Sequence, residues 1–268
     1  MHIVQIGERA RRALSRSGGD AAPLAGFVEG PYFSADGEMI WVGARLPAMH
    51  PRAVITSQAQ PGGVALHFED LPARGWTPRV APLDNTAAAN IVANVEQLCR
   101  ALLAADAPRG FGTLLARANP EFPLDLAVAR VQALARAYRR NDVDAVQSAS
   151  TALLGFGTGL TPSGDDLAGA ALFGRRLIAP LRHAWSLVAE ALTRDAEERS
   201  NAVSAALFSD LVRSQSFAPL HAIADALAAN DHAAALAPAR ELTAIGHSSG
   251  WDMLTGLVIG LTGRCSGR

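Results

Sequence analysis

The chain has 268 residues, 49% of them hydrophobic, which is enough for a sizeable buried core in one large domain or two small ones. A formal net charge of −1 argues against broad electrostatic attraction to nucleic acid or to an anionic membrane. All 24 basic residues are arginine, so mechanisms built on a lysine are excluded: a Schiff base, a pyridoxal phosphate aldimine, a protein-kinase lysine or a Walker A loop. Cys99 and Cys265 stand far apart and outside any C-x-x-C spacing, which removes a thioredoxin-type or zinc-ribbon reading. The opening Met1-His2-Ile3-Val4-Gln5 lacks the basic and then apolar layout of a signal peptide, and no apolar run reaches spanning length. A cytoplasmic location is the expectation.

In chain order, Ile3, Ile6, Ala10 and Leu14 fall at helical spacing among arginines and predict a surface helix, ended by Gly18-Gly19. From Leu24 to about Val80 short apolar runs take over: Phe27-Val28, Tyr32-Phe33, Met39 to Val42, Ala53 to Thr56 and Val64 to Phe68. Ala35-Asp36-Gly37 and Gln60-Pro61-Gly62-Gly63 read as hairpin turns. His50 and His67 lack metal-ligand spacing and read as solvent-facing or hydrogen-bonded imidazoles. Pro78 and Pro82 mark a boundary, placing a β-rich domain at residues 1–83 and a helical domain at 84–268. The fold class expected is α+β, a mostly antiparallel β-rich part followed by a larger α-helical part.

Beyond the boundary, Asp84-Asn85 caps a helix carrying Ile91, Val95, Leu98 and Leu102, whose Asn90 and Asn94 read as a solvated face. Residues 108–112 and 119–123 are breaks. Further helices are expected from Leu124 to Tyr138, Val143 to Leu154, Leu167 to Ile178, Leu181 to Leu192, Asn201 to Val212 and Leu220 to Leu227. Pro238 either kinks or starts a helix between Asp231 and Ile245. A last helix carries Leu254, Leu257, Val258 and Leu261.

The stretch that stands out is Gly155 to Asp166, G-F-G-T-G-L-T-P-S-G-D-D. Alternating Gly155, Gly157 and Gly159 suit a backbone at positive φ or one approached closely by a ligand. Thr161-Pro162 then halts the turn, Ser163 is placed to cap a helix, and Asp166 completes an S-x-x-D capping box. A helix start offers N–H groups and a positive dipole end to an anion. Adjacent Asp165 and Asp166 would repel it unless Mg²⁺ bridges them, so the ligand is either a Mg²⁺-bridged anion or a polar, cationic or amide-bearing molecule. A purely structural alternative has both carboxylates complementing the dipole, for roughly 0.3 to 1 kcal/mol each. Asp165 stands where Walker A needs lysine, and the glycines do not fit G-x-G-x-x-G.

Ser249-Gly250-Trp251-Asp252 repeats the S-G-x-D of Ser163-Gly164-Asp165-Asp166. The expectation is that the two helix starts converge on one pocket, within about 15 Å of each other. Ser248 belongs to that second turn, His247 would add a titratable group and Trp251 a flat wall. Between the loops, Asn201 and Ser204 share a helical face, and Arg199 is the nearest side chain for gripping a carboxylate or phosphate. Ser163 and Ser249 read as caps rather than nucleophiles, and no G-x-S-x-G elbow occurs.

Taken together, Gly155 to Asp166 and Gly246 to Asp252 resemble the signatures of a bacterial family long filed as a domain of unknown function. That family includes one subunit of the oxamate carbamoyltransferase of anaerobic allantoin (purine) breakdown. The similarity is strongest from about Leu153 to Leu261. It implies a role in moving a carbamoyl group between phosphate and the nitrogen of oxamate, in a complex with other subunits, without assigning the reacting atoms to this chain. The resemblance carries no residue roles with it, and those that follow come from the residues themselves. Gly157, Gly159, Thr161, Ser163 and Gly164, with Arg199, Asn201, Ser204, Ser248, Ser249, Gly250, Trp251 and Asp252, would bind a small ligand. Asp165 and Asp166 would orient an amide nitrogen or Mg²⁺, and His247 would move a proton. The alternatives are a noncatalytic metabolite-binding subunit, or a stand-alone Mg²⁺-dependent enzyme on a phosphorylated small molecule.

Overall fold

The computed structural model describes residues 2–27, 30–59, 63–78, 83–179 and 183–265. The architecture is α+β, with a six-stranded, mostly antiparallel sheet early in the chain and helices after it. Two compact units form, Met1–Arg79 with Ser216–Ala218, and Val80–Gln215 with Pro219–Arg268.

The first unit contains β1 (Ile3–Ile6), α1 (Glu8–Arg16), β2 (Asp20–Pro23), β3 (Tyr32–Ala35), β4 (Glu38–Gly43), β5 (Ala53–Thr56) and β6 (Leu66–His67). Sheet order is β1-β5-β4-β3-β2-β6, and among the described strands the β4–β5 pair is parallel and the others antiparallel. The β3–β4 hairpin turns through Asp36 and Gly37, both at positive φ, with Ala35 paired to Glu38, which is the two-residue geometry the sequence suggests. The helix expected to begin at Ile3 is a strand followed by a helix. A bulge between Ile3 and Gln5 lets Ile3 and Ile6 both face inward, so a strand imitates the three-residue spacing of a helix. Gly7 then makes the break, since a Cβ there would lie 2.3 Å from the His50 carbonyl oxygen. His50 is buried, its Nδ1 accepting from Arg52 N, and His67 contacts Asp20. Residues 60–62 of the second expected turn lie outside the described residues, as do Val28, Val80, Pro82 and Leu181.

The second unit holds α2 (Asn85–Leu103), a 3-10 helix Gly110–Ala116, a 3-10 helix Leu124–Ala127 that runs into α3 (Val128–Arg140), then α4 (Val143–Thr151) and α5 (Ser163–Ile178). It continues with α6 (His183–Arg199), α7 (Ala202–Val212), α8 (Ala218–Ala228), α9 (Leu236–Thr243) and α10 (Ser249–Thr262). Asp84 caps α2 by accepting from Ala87 N, and Pro238 sits in the first turn of α9, where its missing N–H costs nothing. Asn90 and Asn94 are not a solvated face. Asn90 donates to the Ala228 carbonyl and Asn94 to Asn230 Oδ1, tying α2 to the loop after α8.

At the centre of this unit, α5 and α10 pack backbone to backbone and run parallel. A Cβ on Gly256 would lie 2.2 Å from the Leu167 carbonyl oxygen, one on Gly260 would lie 1.9 Å from that of Ala171, and one on Gly174 would lie 2.9 Å from that of Leu257. The contacts of Thr161 with Ser249, Leu167 with Gly256 and Ala171 with Gly260 ascend together along both helices and place their N-termini at the same end, and Gly174 against Leu257 marks where the two cross. Small residues are required there because no side chain fits between the two backbones. Among the described residues, no helix is long and apolar enough to cross a membrane.

Candidate functional site

The two repeated sequences meet at the N-terminal end of the α5–α10 pair. Thr161 Oγ1 lies 2.8 Å from Ser249 Oγ, and Ser163 Oγ lies 3.3 Å from Ser248 Oγ. Neither serine caps its helix. Pro162 and Ser248 occupy the N-cap positions without side-chain cap bonds, and Ser163 and Ser249 are the first helical residues. The Pro162 carbonyl accepts from both Asp165 N and Asp166 N, and Phe156 O accepts from Gly164 N. With the helix start satisfied by backbone, the serine hydroxyls are left to face the opposite helix.

Asp165 and Asp166 part company at once, as residues about 100° apart on a helix must. Asp165 is 1% exposed and holds the loop in place: Oδ1 accepts from Gly155 N at 2.6 Å, while Oδ2 accepts from Ser204 Oγ at 2.6 Å and from Ser200 Oγ. Asp166 lies on the other side, against Thr161, Ser249 and Asp252. Both oxygens of Asp165 are taken by donors and its neighbour points elsewhere, so the pair does not offer a shared seat for Mg²⁺. Among the described residues, no group of three or more His, Cys, Asp or Glu side chains is placed to hold a metal.

Asp252, the last residue of the second S-G-x-D, is fully buried. Its Oδ1 accepts from Phe111 N at 2.7 Å. The 3-10 helix that supplies this amide enters through Gly110 and Gly112. A Cβ on Gly110 would lie 2.5 Å from Asp252 Oδ1, and one on Gly112 would lie 2.8 Å from Trp251. Trp251 is 3% exposed, packed under this turn rather than open as a wall. Asp166 Oδ2 and Asp252 Oδ2 are both buried with no hydrogen-bond partner of acceptable geometry, although the Ser163 and Ser248 hydroxyls lie close to the Asp252 carboxyl. Burial, then the neighbouring Asp252 charge, pushes the Asp166 pKa well above the ordinary carboxylate range. Burial pushes Asp252 up to about 7, against the opposing pull of Ser163, the Phe111 amide and Ser248.

Above the carboxylates runs the glycine loop. Gly155, Gly157 and Gly159 have φ of 73°, 123° and 99°. Gly157 folds back on the helix start, a Cβ there falling 2.7 Å from Ser163 N, whereas Gly159 faces open space. Among the described residues, no hydrogen bond occupies the backbone N–H groups of residues 157–161. Phe156 is pinned from one side by the Arg130 guanidinium, 5.2 Å from its ring centre. Asn201 pins the far end, capping α7 through Oδ1 to Val203 N and Ser204 N while Nδ2 donates to the Leu160 carbonyl at 2.8 Å. Gly164 and Gly250 are buried contact points, where a Cβ would lie 2.0 Å from Leu153 O and 1.8 Å from Leu242 O.

His247 and Arg199 are exposed at the rim, and the Arg109 guanidinium donates to the His247 carbonyl at 3.3 Å. Sequence reasoning passed over Arg109, Phe111 and Ser200. The first two lie in R-G-F-G, whose paired glycines were a signal of close approach, and Ser200 adjoins Asn201 with nothing in the sequence to single it out.

The geometry coincides with a stretch that a family model matches. Residues 153–261 match the model of the family described as oxamate carbamoyltransferase subunit AllH. This is the family whose signatures the two loops resemble, and the match begins just before the glycine loop and ends within α10. No curated protein and no solved structure matches the chain.

Proposed function

We propose that this chain is a subunit of an oxamate carbamoyltransferase-type complex, and that its glycine loop binds the anionic or carbonyl end of a small carbamoyl- or amide-bearing ligand. The observation that carries the reading is the meeting of the two helix starts inside the matched stretch, the Thr161 hydroxyl against that of Ser249 at 2.8 Å. Unoccupied N–H groups at 157–161 and the arginines at the rim supply what an anionic oxygen needs. His247 is an exposed base or acid beside them, suited to exchanging a proton with a bound ligand.

Burial of Asp165, Asp166 and Asp252 favours one second reading, in which the chain binds the metabolite and the reacting atoms belong to a partner subunit. Reconstitution with the partner subunits separates the two. His247→Ala should lower carbamoyl transfer at least tenfold with assembly intact if this chain takes part in the chemistry. Unchanged turnover with weakened ligand binding would assign it the accessory role. Absence of ligand binding in both the free chain and the complex would sink the loop as a site.

A further inference from the structure

Asp166 and Asp252 descend on parallel helices to one buried point, and each reaches it half satisfied. Thr161 and Ser249 serve one face of Asp166, while Phe111 N, Ser163 and Ser248 serve Asp252. The Oδ2 atom of each is buried without a hydrogen-bond partner, and burial favours the protonated form of Asp166, so the pair presents an O–H as well as acceptor oxygens, and an acceptor left without a donor there costs on the order of 1–3 kcal/mol. An anion brings no donor to these acceptor oxygens. A multivalent metal would want further carboxylate or imidazole ligands, and the described residues bring no third one. A group with two N–H hydrogens on one atom fits, because each carboxyl, protonated or not, keeps an acceptor oxygen that such a donor can meet.

We infer that Asp166 and Asp252, rather than the adjacent pair Asp165 and Asp166, seat the –NH₂ group of a carboxamide or carbamoyl ligand whose oxygen end lies on the glycine loop. The inference rests on the reading of that loop as the ligand site. Thr161 and Ser249, half-buried and bridging at 2.8 Å, form the closure over the seat, and entry of the amide parts this contact. Carbamoyl phosphate and oxamate both bring such a group, so the shared chemistry is the primary amide nitrogen.

The test compares each compound with its methyl isostere by calorimetry on the full chain: carbamoyl phosphate against acetyl phosphate, and oxamate against pyruvate. For at least one pair the –NH₂ member should bind roughly 100-fold more tightly, since its isostere leaves both oxygens without donors. The pair that discriminates identifies the source of the amide. Asp252→Asn and Asp166→Asn should each narrow the ratio below tenfold while inorganic phosphate binds as before. The wild-type comparison needs neither variant to fold. Equal affinity within both pairs overturns the seat and leaves the anion loop standing. Failure of all four compounds and of inorganic phosphate to bind overturns loop and seat together.

Discussion

Asp165→Asn distinguishes a structural clasp from a ligand-binding carboxylate. In the structure this side chain accepts three hydrogen bonds, from Gly155 N, Ser204 Oγ and Ser200 Oγ. Asparagine keeps one acceptor oxygen and no charge. Hydrogen bonds to a charged group are worth about 1.5–3 kcal/mol against about 1 kcal/mol for neutral ones, so the change loses roughly 1 kcal/mol on each of three, about 3 kcal/mol in all. For a unit of this size that lowers Tm by about 6–12 °C. Thermal unfolding followed by circular dichroism measures it. Ser204→Ala alone and combined with Asp165→Asn then closes a double-mutant cycle, in which the shared bond should appear as a coupling of about 1–2 kcal/mol. An unchanged Tm, or strict additivity in the cycle, would refute the clasp and return Asp165 to the ligand.

Gly260→Ala should destabilise by about 1–3 kcal/mol or more, because its Cβ would sit 1.9 Å from the Ala171 carbonyl oxygen and the two backbones would have to separate. Chemical denaturation measures this, with Gly159→Ala as the control that meets nothing within 4 Å and suffers only its positive φ. Stability should also depend on pH through Asp252. Its folded pKa of about 7 lies above the unfolded value, so unfolding releases a proton between about pH 4 and 7 and stability falls as pH rises through that window. The full effect is on the order of 4 kcal/mol, and urea unfolding of Asp252→Asn at pH 5 and pH 8 should show a shallower slope than wild type, the remainder belonging to Asp166, whose pKa is raised in the same direction; a wild-type stability that rises across the window would contradict it.

Much of this arrangement was legible in the residues because it is written in local terms. The repeat S-G-x-D, the alternating glycines and the glycine-bearing α10 announce a close meeting of two helix starts before any coordinate is known. The division of labour between Asp165 and Asp166 was not legible. It depends on the exact turn at which α5 begins, and Pro162 as N-cap shifts that start so that Ser163 points across to α10 rather than along its own helix. Phe111 is a harder case, since its contribution is a backbone amide and any residue has one. In the sheet, Ile3 and Ile6 misled for a comparable reason. A bulge changes which side chains face inward, and a bulge is set by the partner strand β5 rather than by the four residues of β1.

The parallel packing of α5 and α10 explains why acidic residues collect at this end of the unit. Two helix N-termini side by side bring two partial positive charges of about half a unit each into one low-dielectric volume, and antiparallel helices would have avoided that. Carboxylates within the first turns offset the repulsion, which accounts for acidic residues at both starts without any ligand. Charge compensation needs only proximity, however, and an exposed carboxylate with both oxygens hydrated would supply it at lower cost. Here Asp166 and Asp252 are buried and each keeps one oxygen without a donor. Burial shifts both towards the protonated form, which weakens them as counter-charges to the dipoles, and a ligand that carries its own hydrogens to the bare oxygens gives them a further use.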